Sequence, residues 1–181
     1  KENEGKLILN YAYSIMNSPS YRFRYADLLK MDYPRIPLTR EIDLFNKLAI
    51  YGGELVSLHL MQSPKLNNLI TTQTGSGKFI VEKVSYSDGT VWIDKPKTHG
   101  LKGVPEEVWN FQIGGYQVCE KWLKDRQAKG GKNPRPGRLL TQKDIDHYQK
   151  IIVVLSETIR IMKKIDEIIE EYGGWPYTFV I

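Results

Sequence analysis

A glycine–lysine loop, three histidines and a run of basic residues are the parts of this sequence whose types and spacing invite a chemical reading. Thr74-Gly75-Ser76-Gly77-Lys78 has the ending of a phosphate-cradling loop. Such a loop needs a glycine five positions before the second glycine, and a Ser or Thr after the lysine to hold magnesium. Thr72 and Phe79 stand at those positions, so the segment reads as a flexible loop leading a strand. His59, His99 and His147 show neither HxxxH nor HExxH spacing, so no metal site is expected. His59 and His147 fall in helical patterns as surface or partly buried residues. His99 lies in the loop Lys-Pro-Lys-Thr-His-Gly, where a binding role is plausible. The acidic-x-Lys element of a carboxylate nuclease occurs only as Glu4-Gly5-Lys6, near the start of the chain. There is no Gly-x-Ser-x-Gly elbow, and no Pro-Pro of the kind that holds a flipped adenine for methyl transfer. No catalytic residue is assigned, and the chain by itself is not expected to be an enzyme.

The basic residues are less evenly spread. Between positions 121 and 143 stand Lys121, Lys124, Arg126, Lys129, Lys132, Arg135, Arg138 and Lys143, opposed only by Asp125. A basic loop spaced by Gly and Pro can follow a phosphate backbone while its arginines stay mobile. A second group comprises Lys78, Lys83, Lys95, Lys97 and Lys102. On composition alone, either group serves equally well as a solvated surface. Tyr86, Trp92, Trp109 and Phe111 are read mostly as core residues rather than base-stacking platforms.

These side chains must be positioned by a framework that periodicity outlines. Residues 7–17 read as a helix, and Ser18-Pro19 as an N-cap with proline at the first helical position, starting a helix to about Lys30. Asp32 to Pro37 must be extended, because proline disfavours helix at the residue before it. Thr39 is placed to cap a helix whose apolar positions 44, 48, 51, 55 and 58 form one stripe, interrupted at some cost in stability by Gly52-Gly53, which leave room for a kink. Residues 62–78 read as loop and Phe79 to Tyr86 as a strand. Ser87-Asp88-Gly89 reads as a hairpin turn into Thr90–Asp94, and Val108 to Ile113 as a third strand. Gly114-Gly115 is expected to make a tight strand-to-helix turn into a helix from Tyr116 to Arg126, whose N-terminus could receive a phosphate. After the loop 127–140, Thr141 and Asp144 resemble a capping box for a long helix carrying Ile145, Tyr148, Ile152, Leu155, Ile159 and Met162. Gly173-Gly174 and Pro176 end it.

The expected fold is α+β, with helical N- and C-terminal segments around a small, mainly antiparallel sheet. Three parts are distinguished within one domain: a helical connector and scaffold (1–63), a strand-and-loop recognition region (64–140), and a long C-terminal helix (141–181) packing back on the scaffold. With 181 residues, such a chain buries a sizeable core without disulfides or metals. A hydrophobic fraction of 41% argues against disorder. Cys119 is the only cysteine, which excludes an intrachain disulfide and points to a reducing, cytoplasmic setting. No stretch reaches membrane-span length and no signal-peptide pattern opens the sequence, so no membrane partner is expected. The net charge of +5 favours a nucleic-acid partner only slightly. The chain opens at Lys1 within an amphipathic pattern and is expected to be a piece of a longer protein.

Several stretches together resemble a known family. They are Ser18-Pro19-Ser20-Tyr21-Arg22 with Tyr25, Asp32-Tyr33-Pro34-Arg35-Ile36-Pro37, and Gly103-Val104-Pro105 with Val108-Trp109. Ile113-Gly114-Gly115-Tyr116-Gln117-Val118, Lys121 to Arg126, Asp144-Ile145 with His147-Tyr148, and Leu155 to Ile159 continue the series. Over nearly the whole chain this order resembles the C-terminal specificity domain of Type ISP restriction-modification enzymes and related single-chain adenine-specific DNA methyltransferases. The resemblance implies sequence-specific recognition of double-stranded DNA. It also implies a methyltransferase domain of the same parent chain as partner, with S-adenosylmethionine used there and no cofactor in this fragment. Within that role, Lys121, Lys124, Arg126, Lys132, Arg135 and Arg138 are the candidates for phosphate contact. Lys95, Lys97, Thr98, His99 and Gln112 are the candidates for base contact. The competing reading is a helical protein-docking module without autonomous DNA binding.

Overall fold

The structure, a computed structural model, describes residues 2–179. The chain divides into two units: residues 1–63 with 157–181, and residues 64–156. The fold is α+β, with helices at both ends of the chain and its strands in the middle.

In the first unit, α1 (Glu2–Asn17) packs along α4 (Ile42–His59). The apolar stripe of α4 buries Leu44, Leu48, Leu55 and Leu58, as its three-four spacing requires. Helix α4 runs unbroken to His59 through Gly52. The role of Gly52 is close approach: a Cβ there would fall inside the backbone carbonyl of Asn10 on α1. The capping expectation at Ser18 holds, since its hydroxyl accepts from Tyr21 N and starts α2 (Pro19–Arg24). The helix expected through Lys30 is instead two, with α3 (Ala26–Met31) starting after Tyr25. Thr39 Oγ1 accepts from Glu41 N, two residues before the capping position of α4, which Glu41 occupies. Asp166 receives Ser18 Oγ at 2.5 Å, Ser20 Oγ at 2.6 Å and Ser20 N at 2.9 Å, tying the start of α2 to the last helix.

In the second unit, four antiparallel strands lie in the order β1-β4-β3-β2. These are β1 (Thr72–Thr74), β2 (Ser85–Ser87), β3 (Thr90–Trp92) and β4 (Gly100–Lys102). Asp88 and Gly89 both take positive φ (51° and 68°), the turn geometry that suits the right-handed twist of a two-residue hairpin. Tyr86 pairs with Val91 and Val91 with Leu101, placing apolar side chains in register. The polar segment 62–78, read as loop, contributes β1 as an edge strand. The strand expected over 79–86 is reduced to 85–87. Its earlier half is extended, but Ile80 makes a single bridge to Leu139, and Glu82 N and Lys83 N share the carbonyl of Ile93.

The third expected strand is also corrected. Pro105 caps a short helix, α5 (Glu106–Trp109), whose first turn carries Glu106 and Glu107 next to the helix N-terminus. Only Gln112–Ile113 (β5) is strand, paired with Tyr116–Gln117 (β6). Gly114-Gly115 therefore turns strand into strand, and helix α6 (Val118–Lys124) begins two residues later than expected. Thr141 and Asp144 form the reciprocal cap: Asp144 N donates to Thr141 Oγ1 at 3.2 Å, and Thr141 N donates to Asp144 at 3.0 Å. The long helix α7 (Gln142–Glu171) follows, with every member of the expected apolar series buried. No described helix is long and apolar enough to cross a membrane.

Candidate nucleic-acid interface

The basic run of the second unit is anchored at the end of α6. Trp122 packs on the wholly buried Tyr148 (ring centroids 5.0 Å apart), and Tyr148 donates to the carbonyl of Cys119 at 3.0 Å. The Arg126 guanidinium lies 3.5 Å from the centroid of the Trp122 ring and donates to the Trp122 carbonyl at 2.8 Å. Burial, followed by the charge of Arg138, lowers the pKa of Arg126 from its ordinary value. Its Nε is buried without a hydrogen-bond partner. A guanidinium so held against a neighbour of the same sign is fixed by packing rather than by an ion pair.

The loop after α6 folds back on this arginine. Lys129 and Arg135 exchange backbone hydrogen bonds of 2.9 Å, closing a small hairpin, and Arg138 N donates to the Arg126 carbonyl at 2.9 Å. The result is a concavity of about 290 Å³ lined by Asp125, Arg126, Arg135, Pro136 and Arg138. Arg135 Nη2 donates to the Asp125 carbonyl at 2.5 Å, and Arg138 Nη2 reaches Asp144 at 3.3 Å. Arg135, Arg138 and Arg126 each donate through one nitrogen in these contacts, whereas a guanidinium carries five N–H donors. Three guanidinium groups around one small concavity suit a tetrahedral oxyanion, which accepts several charge-assisted hydrogen bonds at once.

The other phosphate candidates stand elsewhere. Lys121 Nζ is within 2.5–2.6 Å of both Asp125 oxygens, and Lys124 pairs with Glu120 at 2.9 Å. Both pairs are half-exposed on α6, so they are weak and exchange readily for a stronger anion. Lys132 is exposed at the tip of the 129–135 hairpin.

The candidates for base contact fall into two groups. Thr98 and His99 turn their donors inward, onto a carboxylate that sequence reasoning passed over. Asp94 accepts from Thr98 N (3.0 Å), Thr98 Oγ1 (2.5 Å), His99 N (3.1 Å) and His99 Nδ1 (3.0 Å). Burial pushes the Asp94 carboxyl up, but these hydrogen bonds outweigh it and hold it at about 2. His99 Nε2 lies 2.8 Å from the carbonyl of Ser76. A carbonyl and a carboxylate are both acceptors, so the ring must donate from both nitrogens, and the Asp94 bond raises its pKa. His99 thereby ties the loop after β1 to the loop before β4. The signal that could have found Asp94 is its spacing: an Asp followed by Thr and His four and five residues on, across a Pro-containing turn. Lys95, Lys97 and Gln112 are the outward group. All three are exposed; Lys97, at positive φ (57°), reaches Ser87 Oγ at 3.1 Å, and Gln112 stands on β5. Trp109 is buried and stacked on Tyr86, in agreement with a core role for both rings.

The family model of the Type ISP C-terminal specificity domain matches residues 4–164. The chain belongs to this family. Solved structures of similar fold agree. "Structure of a nuclease-deletion mutant of the Type ISP restriction-modification enzyme LlaGI in complex with a DNA substrate mimic" aligns at TM-score 0.59 and 24% identity, over 92% of this chain. A DrdV–DNA complex aligns at 0.67 and 22% over 88%. The DNA-bound ATP-dependent Type ISP restriction-modification enzyme LlaBIII aligns at 0.63 and 19% over 87%. At these identities the likeness concerns the fold. The specificity domain described here corresponds to 13%, 18% and 11% of those three chains. None of the curated proteins compared matches it. Among the described residues no group of three or more His, Cys, Asp and Glu is placed to hold a metal ion.

Proposed function

We propose that this specificity domain selects the double-stranded DNA target of a longer restriction-modification enzyme. The observation that carries this reading is the convergence of Arg126, Arg135 and Arg138 on one concavity, in a chain of the Type ISP specificity family. Phosphate contacts made there and by Lys121, Lys124 and Lys132 fix register on the duplex, while exposed side chains such as Lys95, Lys97 and Gln112 read base edges. Methyl transfer from S-adenosylmethionine to an adenine, and any cleavage, belong on this reading to other parts of the longer enzyme. The test is binding of the chain to a randomised duplex library at two salt concentrations, with the retained DNA sequenced. Salt-sensitive retention of one short motif supports target selection; salt-sensitive retention without a motif reduces the domain to a non-specific clamp.

A second role is supported by the first unit. Tyr21, Tyr25, Leu28, Leu29, Tyr33 and Ile36 line a mainly apolar groove of about 420 Å³. Tyr33 in its lining, and Phe23 on α2 and Met31 on α3, are each more than three-quarters exposed. An apolar surface of this kind on a folded chain marks an interaction site. The proposed occupant is the methyltransferase domain of the same longer chain, so docking and DNA reading fall to different units of one specificity domain. A Leu28→Asp, Tyr33→Asp double variant should lose association with that domain while its DNA binding is retained.

A further inference from the structure

We infer that Val81 and Gly137 are the positioning residues of the arginine concavity: they seat both arms of the basic loop on one partly buried segment, so that the phosphate site is formed before DNA arrives. This rests on the target-selection reading above and concerns what builds the site.

The three arginines come from two arms of one loop. Arg126 opens the first arm, and Arg135 and Arg138 stand on the second. The Lys129–Arg135 pair joins the arms at their outer end. Every residue from Lys129 to Pro136 is exposed, and a Cβ built on Gly130 or Gly131 would meet nothing within 4 Å. A two-stranded ribbon standing alone is marginal in water. The outer end therefore cannot fix the guanidinium groups by itself.

The inner ends are held by the segment 79–84. Val81 is fully buried and uses both of its backbone groups on the loop. Its N–H donates to the Arg138 carbonyl at 3.1 Å, and its carbonyl accepts from Ala128 N at 3.0 Å. One residue thus joins the arm that follows Arg126 to the arm that carries Arg138. Leu140 N donates to the Phe79 carbonyl at 2.8 Å, and Val84 N to Gln127 Oε1 at 3.3 Å, extending the seam on either side. The same segment is tied to the connection between β3 and β4. Glu82 N and Lys83 N share the carbonyl of the buried Ile93, and the buried Phe79 ring stands nearly perpendicular to that of His99, with centroids 5.0 Å apart. The concavity takes its position from this support.

Gly137 permits the seating. It stands between Pro136 and Arg138, which both line the concavity. Its φ lies outside the left-handed region, so backbone conformation does not call for glycine there. Space does: a Cβ would lie 2.2 Å from the Val81 carbonyl oxygen and 2.8 Å from its carbon. Carbon normally stands about 3.3–3.6 Å from such an oxygen, so any side chain would push the second arm away by roughly 1 Å. Charge-assisted hydrogen bonds are short, about 2.7–2.9 Å. A shift of that size takes Arg135 and Arg138 away from a phosphate that Arg126 still faces.

The test is Gly137→Ala, measured by fluorescence anisotropy on a non-specific duplex over a range of salt concentrations. It is made in the wild-type chain and in a background that carries Arg135→Gln and Arg138→Gln. In the wild-type chain the substitution should weaken low-salt binding at least about tenfold. It should also lower the slope of log affinity against log salt by about 0.9–1.8, the share of one or two phosphate contacts. In the background without those arginines it should change affinity by less than about twofold, because its effect passes through them. A role in folding alone would weaken binding by the same factor in both backgrounds. Equal factors, or an unchanged slope, overturn the inference and leave target selection standing. If melting curves show that Gly137→Ala does not fold, amide hydrogen exchange of the unliganded wild type decides. The amides of Val81, Ala128, Arg138 and Leu140 should then exchange at least about a hundredfold more slowly than that of Lys132; exchange as fast as at Lys132 overturns a preformed site. A wild type whose DNA binding ignores salt overturns the reading on which the inference rests, whatever the exchange pattern.

Discussion

The arginine concavity can be tested through the salt dependence of binding. Arg135→Gln and Arg138→Gln together remove two of the three guanidinium groups around it and leave Arg126 in place against Trp122. Neither side chain is part of the core: Arg138 is about half exposed, and Arg135 is exposed and touches the carbonyl of Asp125. Each phosphate contact contributes about 0.9 to the slope of log affinity against log salt. Losing two lowers the slope by roughly 1.8. Between 50 and 200 mM salt, a fourfold range, wild-type affinity should fall about twelvefold more than that of the variant. At the low-salt end the variant should bind at least tenfold more weakly, since a hydrogen bond to a charged group is worth about 1.5–3 kcal/mol. The assay is fluorescence anisotropy on a labelled non-specific duplex, and the melting temperature should change little. Parallel salt plots for the two proteins would falsify the assignment, because the two arginines would then be solvated surface groups.

Two further outcomes follow from the packing. Gly52→Ala drives a methyl group into the Asn10 carbonyl, a backbone atom that cannot rotate away. The variant should lose at least about 3 kcal/mol, the upper end of ordinary overpacking, and an unchanged thermal melt would show that α1 and α4 are not locked at this point. The Asp94–His99–Ser76 tie gives the second unit a pH dependence. Because the pKa of His99 is raised on folding, its contribution is complete below the unfolded value near 6.5 and is lost as pH rises through the folded value. Asp94 works in the opposite sense: its contribution is present above 3.8 and is lost only as pH falls towards about 2. Melting curves between pH 5 and 9 should therefore decline from near-neutral pH upward, and His99→Gln should flatten that decline. A wild-type curve already flat over this range would remove the imidazolium from the account.

The parts of the fold legible in the sequence are those fixed by local repetition. Leu44, Leu48, Leu55 and Leu58 declare α4, and Ile145 to Met162 declare α7, because a 3.6-residue period is written into the chain itself. Asp88-Gly89 declares its hairpin by another local signal, a dipeptide whose residues tolerate positive φ. Thr72-Gln73-Thr74 carries no such mark: it is a strand because β4 offers it an edge thirty residues later. Gly114-Gly115 has turn chemistry that suits a hairpin and a helix start equally well, and only the pairing of Gln112 with Gln117 chooses between them. The basic run was visible as composition, but its convergence was not. Arg126 lies in the turn after α6 while Arg135 and Arg138 lie in a loop, and the Lys129–Arg135 bridge is what brings them around one concavity.

On the proposed function, what separates a reading residue from a supporting one is where its hydrogen-bonding capacity is directed. Thr98 and His99 sit in a loop suited to binding and are of types that read bases, yet Asp94 and Ser76 take their donors. Withdrawing either from Asp94 to serve DNA would leave a nearly buried carboxylate short of partners, a cost that a base contact must first repay. Their place is to make the loop rigid. Lys95, Lys97 and the β5–β6 hairpin lie outside that network, with exposed side chains on supports whose geometry is set by others. A reading site needs that combination, since a contact specifies a base only if its position is fixed before the DNA arrives. On the proposed function it also separates specificity from stability: Lys95, Lys97 and Gln112 should be open to change without disturbing the Asp94 network or the α5 and α6 anchors. Substitution at Asp94 should therefore blur the preference at every position through loss of order, whereas substitution at Gln112 should alter one position and leave the others sharp.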